Sequence, residues 1–175
     1  MDTQSNLPVR KHPRLKGYGY NSNGAYFITF CAIYKKYMLG EIVGRGILDA
    51  PSVQFTKYGK YIADAIVYMN EKSENLYIDK YVVMPNHVHL IIFVINNNGA
   101  SENYSGASGM PRPTNAIIPK FISSIKRFSN KQAGLNIWQD SYYDHIIRDE
   151  ADYLRIWKYM DENPAKWTED EYYIN

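Results

Sequence analysis

Leu76–Met84 reads LYIDKYVVM and His87–Ile95 reads HVHLIIFVI, with only Pro85 and Asn86 between them. Both stretches are rich in β-branched and aromatic residues, and a Pro-Asn pair suits a tight connection, so the sequence predicts two strands joined as a hairpin. Side chains alternate along a strand. His87 and His89 therefore project from one face of the second strand, and Val88 and Leu90 from the other.

Working outward, Ala25–Ala32 (AYFITFCA) reads as a first strand. From Val53 onward, Tyr58, Tyr61, Ile62, Ala65, Ile66 and Met69 recur at three-and-four spacing, which predicts an amphipathic helix. After the hairpin, Asn96–Thr114 is rich in Asn, Gly, Ser and Pro and nearly free of aliphatics, so it reads as a flexible insertion. Pro119 suits a first helical position, and Ile118, Phe121, Ile122 and Ile125 then form one apolar stripe of a second helix. Ile137–Ile147 reads as a further strand. Asp149, Glu150 and Asp152 supply the acidic first turn of a last helix that ends near Asn163-Pro164.

The order strand, helix, strand, strand, helix, strand, helix predicts an α+β, ferredoxin-like (RRM-like) antiparallel sheet with packed helices and an added C-terminal helix. The expected division is a basic arm over residues 1–24, one domain over 25–167 with a flexible insertion loop at 96–117, and a tail over 168–175.

Composition narrows the function classes. A chain of 175 residues with 45% hydrophobic residues suits one core, and no apolar stretch approaches the ~18 residues of a membrane span, so a cytoplasmic protein without a membrane partner is expected. Cys31 is the single cysteine and lies in an apolar run, which excludes an internal disulfide or a zinc-thiolate cluster. The net charge of +2 says little by itself. The cations, however, gather in two places: Arg10, Lys11, Arg14 and Lys16 in the arm, and Lys126 and Arg127 with Lys120 and Lys131 on the second helix. These are candidate DNA-binding residues, and they also suit a solvated face.

The His-x-His pair is half of a metal site, and by itself it equally suits surface or hydrogen-bonded core histidines. The last helix offers a partner. Its apolar stripe is Tyr153, Ile156, Trp157 and Met160, while Asp152, Arg155, Tyr159 and Asn163 share a neighbouring, more polar face. Laid across the histidine face, that helix could present a hydroxyl and an amide oxygen to one metal; otherwise Asn163-Pro164 is a helix stop and Tyr159 a boundary aromatic. A tyrosine hydroxyl, with pKa near ~10, needs a cation to make it a useful nucleophile at phosphorus. Two imidazoles with one amide oxygen suit Mn²⁺ or Mg²⁺, Mn²⁺ being better matched to nitrogen.

The run VVMPNHVHLII (Val82 to Ile92) resembles the HUH motif, histidine-hydrophobic-histidine, of single-tyrosine transposases. RLKGYGY (Arg14 to Tyr20), AYFITF, SSIKRFSNK (Ser123 to Lys131), IWQDSYYDHIIRDE (Ile137 to Glu150) and KYMDENPAKW (Lys158 to Trp167) resemble the REP-associated branch of that superfamily, the REP-associated tyrosine transposases. The resemblance implies that 25–167 is an HUH transposase domain in which His87 and His89 hold a divalent metal, Mg²⁺ or Mn²⁺. It implies that Tyr159 is the nucleophile and Asn163 the further metal ligand, where many relatives carry Gln. The implied activity is cleavage and rejoining of single-stranded or hairpin DNA, such as repeated extragenic palindromes, through a covalent 5′-phosphotyrosine during DNA transposition. The alternative is a domesticated DNA- or RNA-binding module without catalysis. A monomer and a homodimer both fit, as do action of Tyr159 within its own subunit or across a dimer.

Overall fold

The computed structural model describes residues 23–44, 50–95 and 117–174. The basic arm, including Arg10, Lys11, Arg14 and Lys16, and the insertion at 96–116 lie outside the described residues. The strands are β1 (Gly24–Cys31), β2 (Gly40–Val43), β3 (Ser52–Phe55), β4 (Leu76–Val83), β5 (His87–Val94) and β6 (Tyr143–Ile147). The helices are α1 (Lys57–Lys72), α2 (Ile117–Ala133) and α3 (Glu150–Glu162).

Four strands form one antiparallel sheet in the order β4-β5-β1-β6. With α1 between β1 and β4 and α2 between β5 and β6, this is the expected ferredoxin-like α+β arrangement, and α3 is the added helix. The alternation along β5 divides its side chains as the sequence predicts. Val88, Leu90, Ile92 and Val94 join Tyr26, Ile28 and Phe30 of β1 in the main core under α1 and α2. On the other face, Phe27 and Ile91 pack with Ile156 and Met160 of α3. His87 and His89 belong to this second face, so α3 is the helix that covers them.

Helix α3 is tied down at both edges of the sheet. Asp149 caps its N-terminus by accepting from the backbone N–H of Asp152 at 2.8 Å, and Asp152 in turn meets His145 of β6 at 2.7 Å. Toward the opposite edge, the Tyr153 hydroxyl donates to Asp79 at 2.7 Å, and Lys80 pairs with Asp161. These contacts fix the rotation of α3 about its axis, and hence which of its residues face β5.

Two expectations are corrected. The helix expected from Val53 starts at Lys57, and Ser52–Phe55 pairs with Gly40–Val43 as a separate two-stranded ribbon. Thr56 sets the boundary: its hydroxyl accepts from Gly59 N–H at 3.3 Å and donates to the Met38 carbonyl. Gly59 is required there, because a Cβ would stand 2.0 Å from the Leu39 carbonyl oxygen. The second correction concerns Ile137–Ile147, where only Tyr143–Ile147 is strand and Trp138 makes a lone bridge to Ala32. The carbonyls of Gln139, Asp140 and Ser141 accept from the Lys126 ammonium instead of extending a ladder.

Candidate active site

His87 and His89 lie side by side with their Nε2 atoms 2.9 Å apart, and both are fully buried. Each ring is held from behind. His87 Nδ1 lies 2.9 Å from Asn86 Oδ1, and His89 Nδ1 lies 2.7 Å from the hydroxyl of Thr29, its direct neighbour on β1. Phe27 stacks on the His89 ring with centroids 5.0 Å apart. Burial pushes both histidines down, His87 to about 3 and His89 well below its ordinary value, so both are neutral at neutral pH. A neutral imidazole is the form that can ligate a metal.

The structure brings Tyr159 to this pair and Asn163 to the carboxylate beside it. The Tyr159 hydroxyl is 3.2 Å from His89 Nε2 and donates to Asp170 Oδ2 at 3.1 Å. Asn163 Nδ2 donates to the same carboxylate oxygen at 2.6 Å, while Asn163 Oδ1 is buried and has no partner among the described residues. Tyr159, Asn163 and Asp170 all line a cleft of about 320 Å³, to which Arg155, Lys158 and Lys166 contribute cations. Desolvation, and then the charge of Asp170, raise the Tyr159 hydroxyl well above its usual pKa. The free hydroxyl is thus held protonated.

Sequence reasoning missed Asp170, and with it Tyr172. His87 Nε2 or Nδ1, His89 and the Asp170 carboxylate offer ligand atoms that all lie within 4.8 Å of one another, a spacing that a single cation could bridge. The acidic member comes from the segment after α3, which turns back over the histidines. Trp167 and Tyr172 approach the His87 ring at 5.9 and 4.5 Å between centroids, and Asp170 Oδ1 accepts from the backbone N–H of Tyr172 at 2.7 Å. The only sequence signal was an acidic and aromatic composition, WTEDEYY (Trp167 to Tyr173), which has no local periodicity that names a target.

The other expected site residues lie elsewhere. Lys126 and Arg127 are on α2, across the sheet from the histidines, and the Lys126 ammonium is bonded to three carbonyls. Tyr142 is buried in the main core, and Tyr143 is exposed on the edge strand β6.

This chain is 31% identical to an uncharacterised protein of Haemophilus influenzae over an alignment of 186 positions that spans all of both chains. The two belong to one family. A second Haemophilus influenzae protein, provisionally named a REP-associated tyrosine transposase, is 26% identical over 85 residues, which are 48% of this chain and 47% of that protein. No family model matches. Among solved structures, a REP-associated tyrosine transposase bound to a REP hairpin superposes with a TM-score of 0.57 at 21% identity, covering 91% of this chain and 74% of the other. The chain resembles the REP-associated tyrosine transposases, as its sequence motifs imply, and shares the fold of that structure. Among the described residues, no helix is long and apolar enough to cross a membrane.

Proposed function

We propose that this chain is a transposase-like, metal-dependent HUH endonuclease that binds single-stranded or hairpin DNA, cleaves it and rejoins it through a phosphotyrosine at Tyr159. The observation that carries the reading is the placement of the Tyr159 hydroxyl 3.2 Å from one of two neutral imidazoles whose Nε2 atoms face each other at 2.9 Å. The names of its relatives point the same way.

The donor set fits a divalent cation. Two neutral imidazole nitrogens and the Asp170 carboxylate lie within 4.8 Å of one another, and the orphaned buried Asn163 Oδ1 is an acceptor in want of a partner. Mixed nitrogen and oxygen ligands favour Mn²⁺ over the harder Mg²⁺. When bound, such an ion polarises a phosphodiester and stabilises the charge that develops on it.

The protein's own residues do the rest. Helix α3 aims the Tyr159 hydroxyl at the histidine pair, and Asp170 Oδ2 stands where it can take the phenolic proton. The tyrosine oxygen attacks phosphorus, the bond from phosphorus to the 3′-oxygen breaks, and the 3′-oxygen leaves as a hydroxyl once protonated. Attack of a 3′-hydroxyl on the phosphotyrosine reverses these steps and joins a strand without a nucleotide cofactor. Arg155, Lys158 and Lys166 supply cations along the cleft, and Arg10, Lys11, Arg14 and Lys16 are proposed as further phosphate contacts.

The test is incubation of the full chain with labelled single-stranded hairpin DNA from the flanks of its own gene, with Mn²⁺ or with chelator. A covalent protein-DNA adduct that needs Mn²⁺ is expected. DNA binding without any adduct would favour the non-catalytic module instead.

A further inference from the structure

Asn86 was legible as half of a turn pair, yet its side chain is completely buried behind His87. Both of its amide hydrogens and its carbonyl oxygen are engaged. Nδ2 donates to the Lys35 carbonyl at 3.1 Å and to the Tyr172 carbonyl at 2.7 Å, and Oδ1 lies 2.9 Å from His87 Nδ1. Those two carbonyls fix which end of the amide is nitrogen, since a flipped amide would set its oxygen against two other oxygens. An amide oxygen can only accept. His87 Nδ1 must therefore carry the ring proton, and a neutral imidazole has only one.

We propose that Asn86 is a positioning residue that locks His87 in the tautomer with its proton on Nδ1, so that Nε2 is a bare acceptor directed into the site before any cation arrives. The inference rests on the metal reading of the site given above. His89 is held differently. Its Nδ1 faces the Thr29 hydroxyl at 2.7 Å, and a hydroxyl can donate or accept. Because His89 Nε2 is 2.9 Å from the bare Nε2 of His87, the proton between them belongs to His89 in the metal-free protein. The Tyr159 hydroxyl does not oppose that assignment, because it gives its own proton to Asp170 and so does not need His89 Nε2 as an acceptor. To ligate through Nε2, His89 moves its ring proton to Nδ1, and Thr29 turns from donor to acceptor. No proton is gained or lost overall.

The pair thus consists of one fixed ligand and one that can switch. The fixed one stands next to the turn, whose position is itself held: Leu39 N–H donates to the Pro85 carbonyl and Ala32 N–H to the Asn86 carbonyl, at 2.9 and 2.8 Å. Partners behind a ligating histidine commonly change metal affinity by about 10- to 100-fold when removed.

Long-range ¹H–¹⁵N spectra of the metal-free full chain at pH 8 read the tautomers directly, with His87 identified by its loss in His87→Gln. Wild type, in which Asn86 supplies the acceptor, is expected to show His87 protonated on Nδ1 alone. Asn86→Leu, which removes it, is expected to show both His87 tautomers and to bind Mn²⁺, followed by electron paramagnetic resonance, at least tenfold more weakly. A wild-type His87 carrying its proton on Nε2 would overturn the proposal even if no variant folds. So would a folded Asn86→Leu protein with an unchanged tautomer. If the tautomers behave as expected but wild type binds no Mn²⁺, the lock stands and the metal reading falls.

Discussion

The hydroxyl of Tyr159, on the last helix, and Nε2 of His89, in the middle of the sheet, stand 3.2 Å apart although 70 residues separate them. Two anchors at opposite edges of the sheet produce that relationship: His145 with Asp152 on one side and Asp79 with Tyr153 on the other. Of the 17 tyrosines, the proposed nucleophile must be one whose oxygen reaches the histidines from the cleft.

Tyr159→Phe should therefore abolish the covalent adduct, with a loss of at least about 10³-fold, while folding and DNA binding persist. Tyr142→Phe, Tyr143→Phe and Tyr172→Phe should each keep adduct formation. Tyr172 is the sharpest control, because its ring lies 4.5 Å from that of His87 by centroid. Mass spectrometry of the trapped peptide checks the site, and phosphate on any of the three controls would refute the assignment.

His87→Ala and His89→Ala should each eliminate cleavage while leaving DNA affinity within a few-fold, since phosphate contacts and not the metal carry most of the binding. Gel-shift and adduct assays on the same samples separate the two properties. Cleavage at the wild-type rate by either variant would end the metal hypothesis.

Acid should destabilise the metal-free protein earlier than carboxylate titration alone would. In the unfolded chain the His87 side chain takes up a proton near pH ~6.5, whereas burial holds it to about 3 in the fold. The unfolded state binds more protons throughout that window, so stability falls as pH drops from about 6.5 toward 3. Urea midpoints at pH 7 and pH 5 should differ more for wild type than for His87→Gln. Equal differences would show that His87 is not buried in neutral form.

Asp170→Asn should lower the pKa of Tyr159, because the carboxylate charge is the second cause of its rise after desolvation. Ultraviolet titration of the tyrosines, with Tyr159→Phe as the reference, measures this directly. Asp170→Ala, by leaving Asn163 Nδ2 buried without its acceptor, should also cost about 1–3 kcal/mol of stability.

The two groups of cations should behave differently. Neutralising Arg10, Lys11 and Arg14 together should lower the slope of log K against log salt for single-stranded DNA by about 2, at about 0.7 per phosphate contact. Lys126→Ala should instead lower the unfolding midpoint, since its ammonium bridges the Gln139, Asp140 and Ser141 carbonyls. A Lys126→Ala protein of unchanged stability but flattened salt dependence would return that residue to the DNA interface.

The sequence by itself determined whatever repeats with a local period. Alternation in β5 put both histidines on one face, and helical spacing placed Tyr159 and Asn163 together beside the apolar stripe of α3. The element order then constrained the sheet to β4-β5-β1-β6. Only the tertiary structure decided which acid joins the histidines. Asp170 lies in a segment with one short 3₁₀ turn, Trp167–Glu169, and its place over the site comes from contacts to distant residues: Tyr172 against His87 and Asn86, and Tyr37 bonded to Ile174. Residues 137–142 read as strand in the sequence but form none in the fold, for the same reason. Their apolar side chains fit a strand, but a lysine on another helix captured their carbonyls, and no period in the chain records a partner so far away.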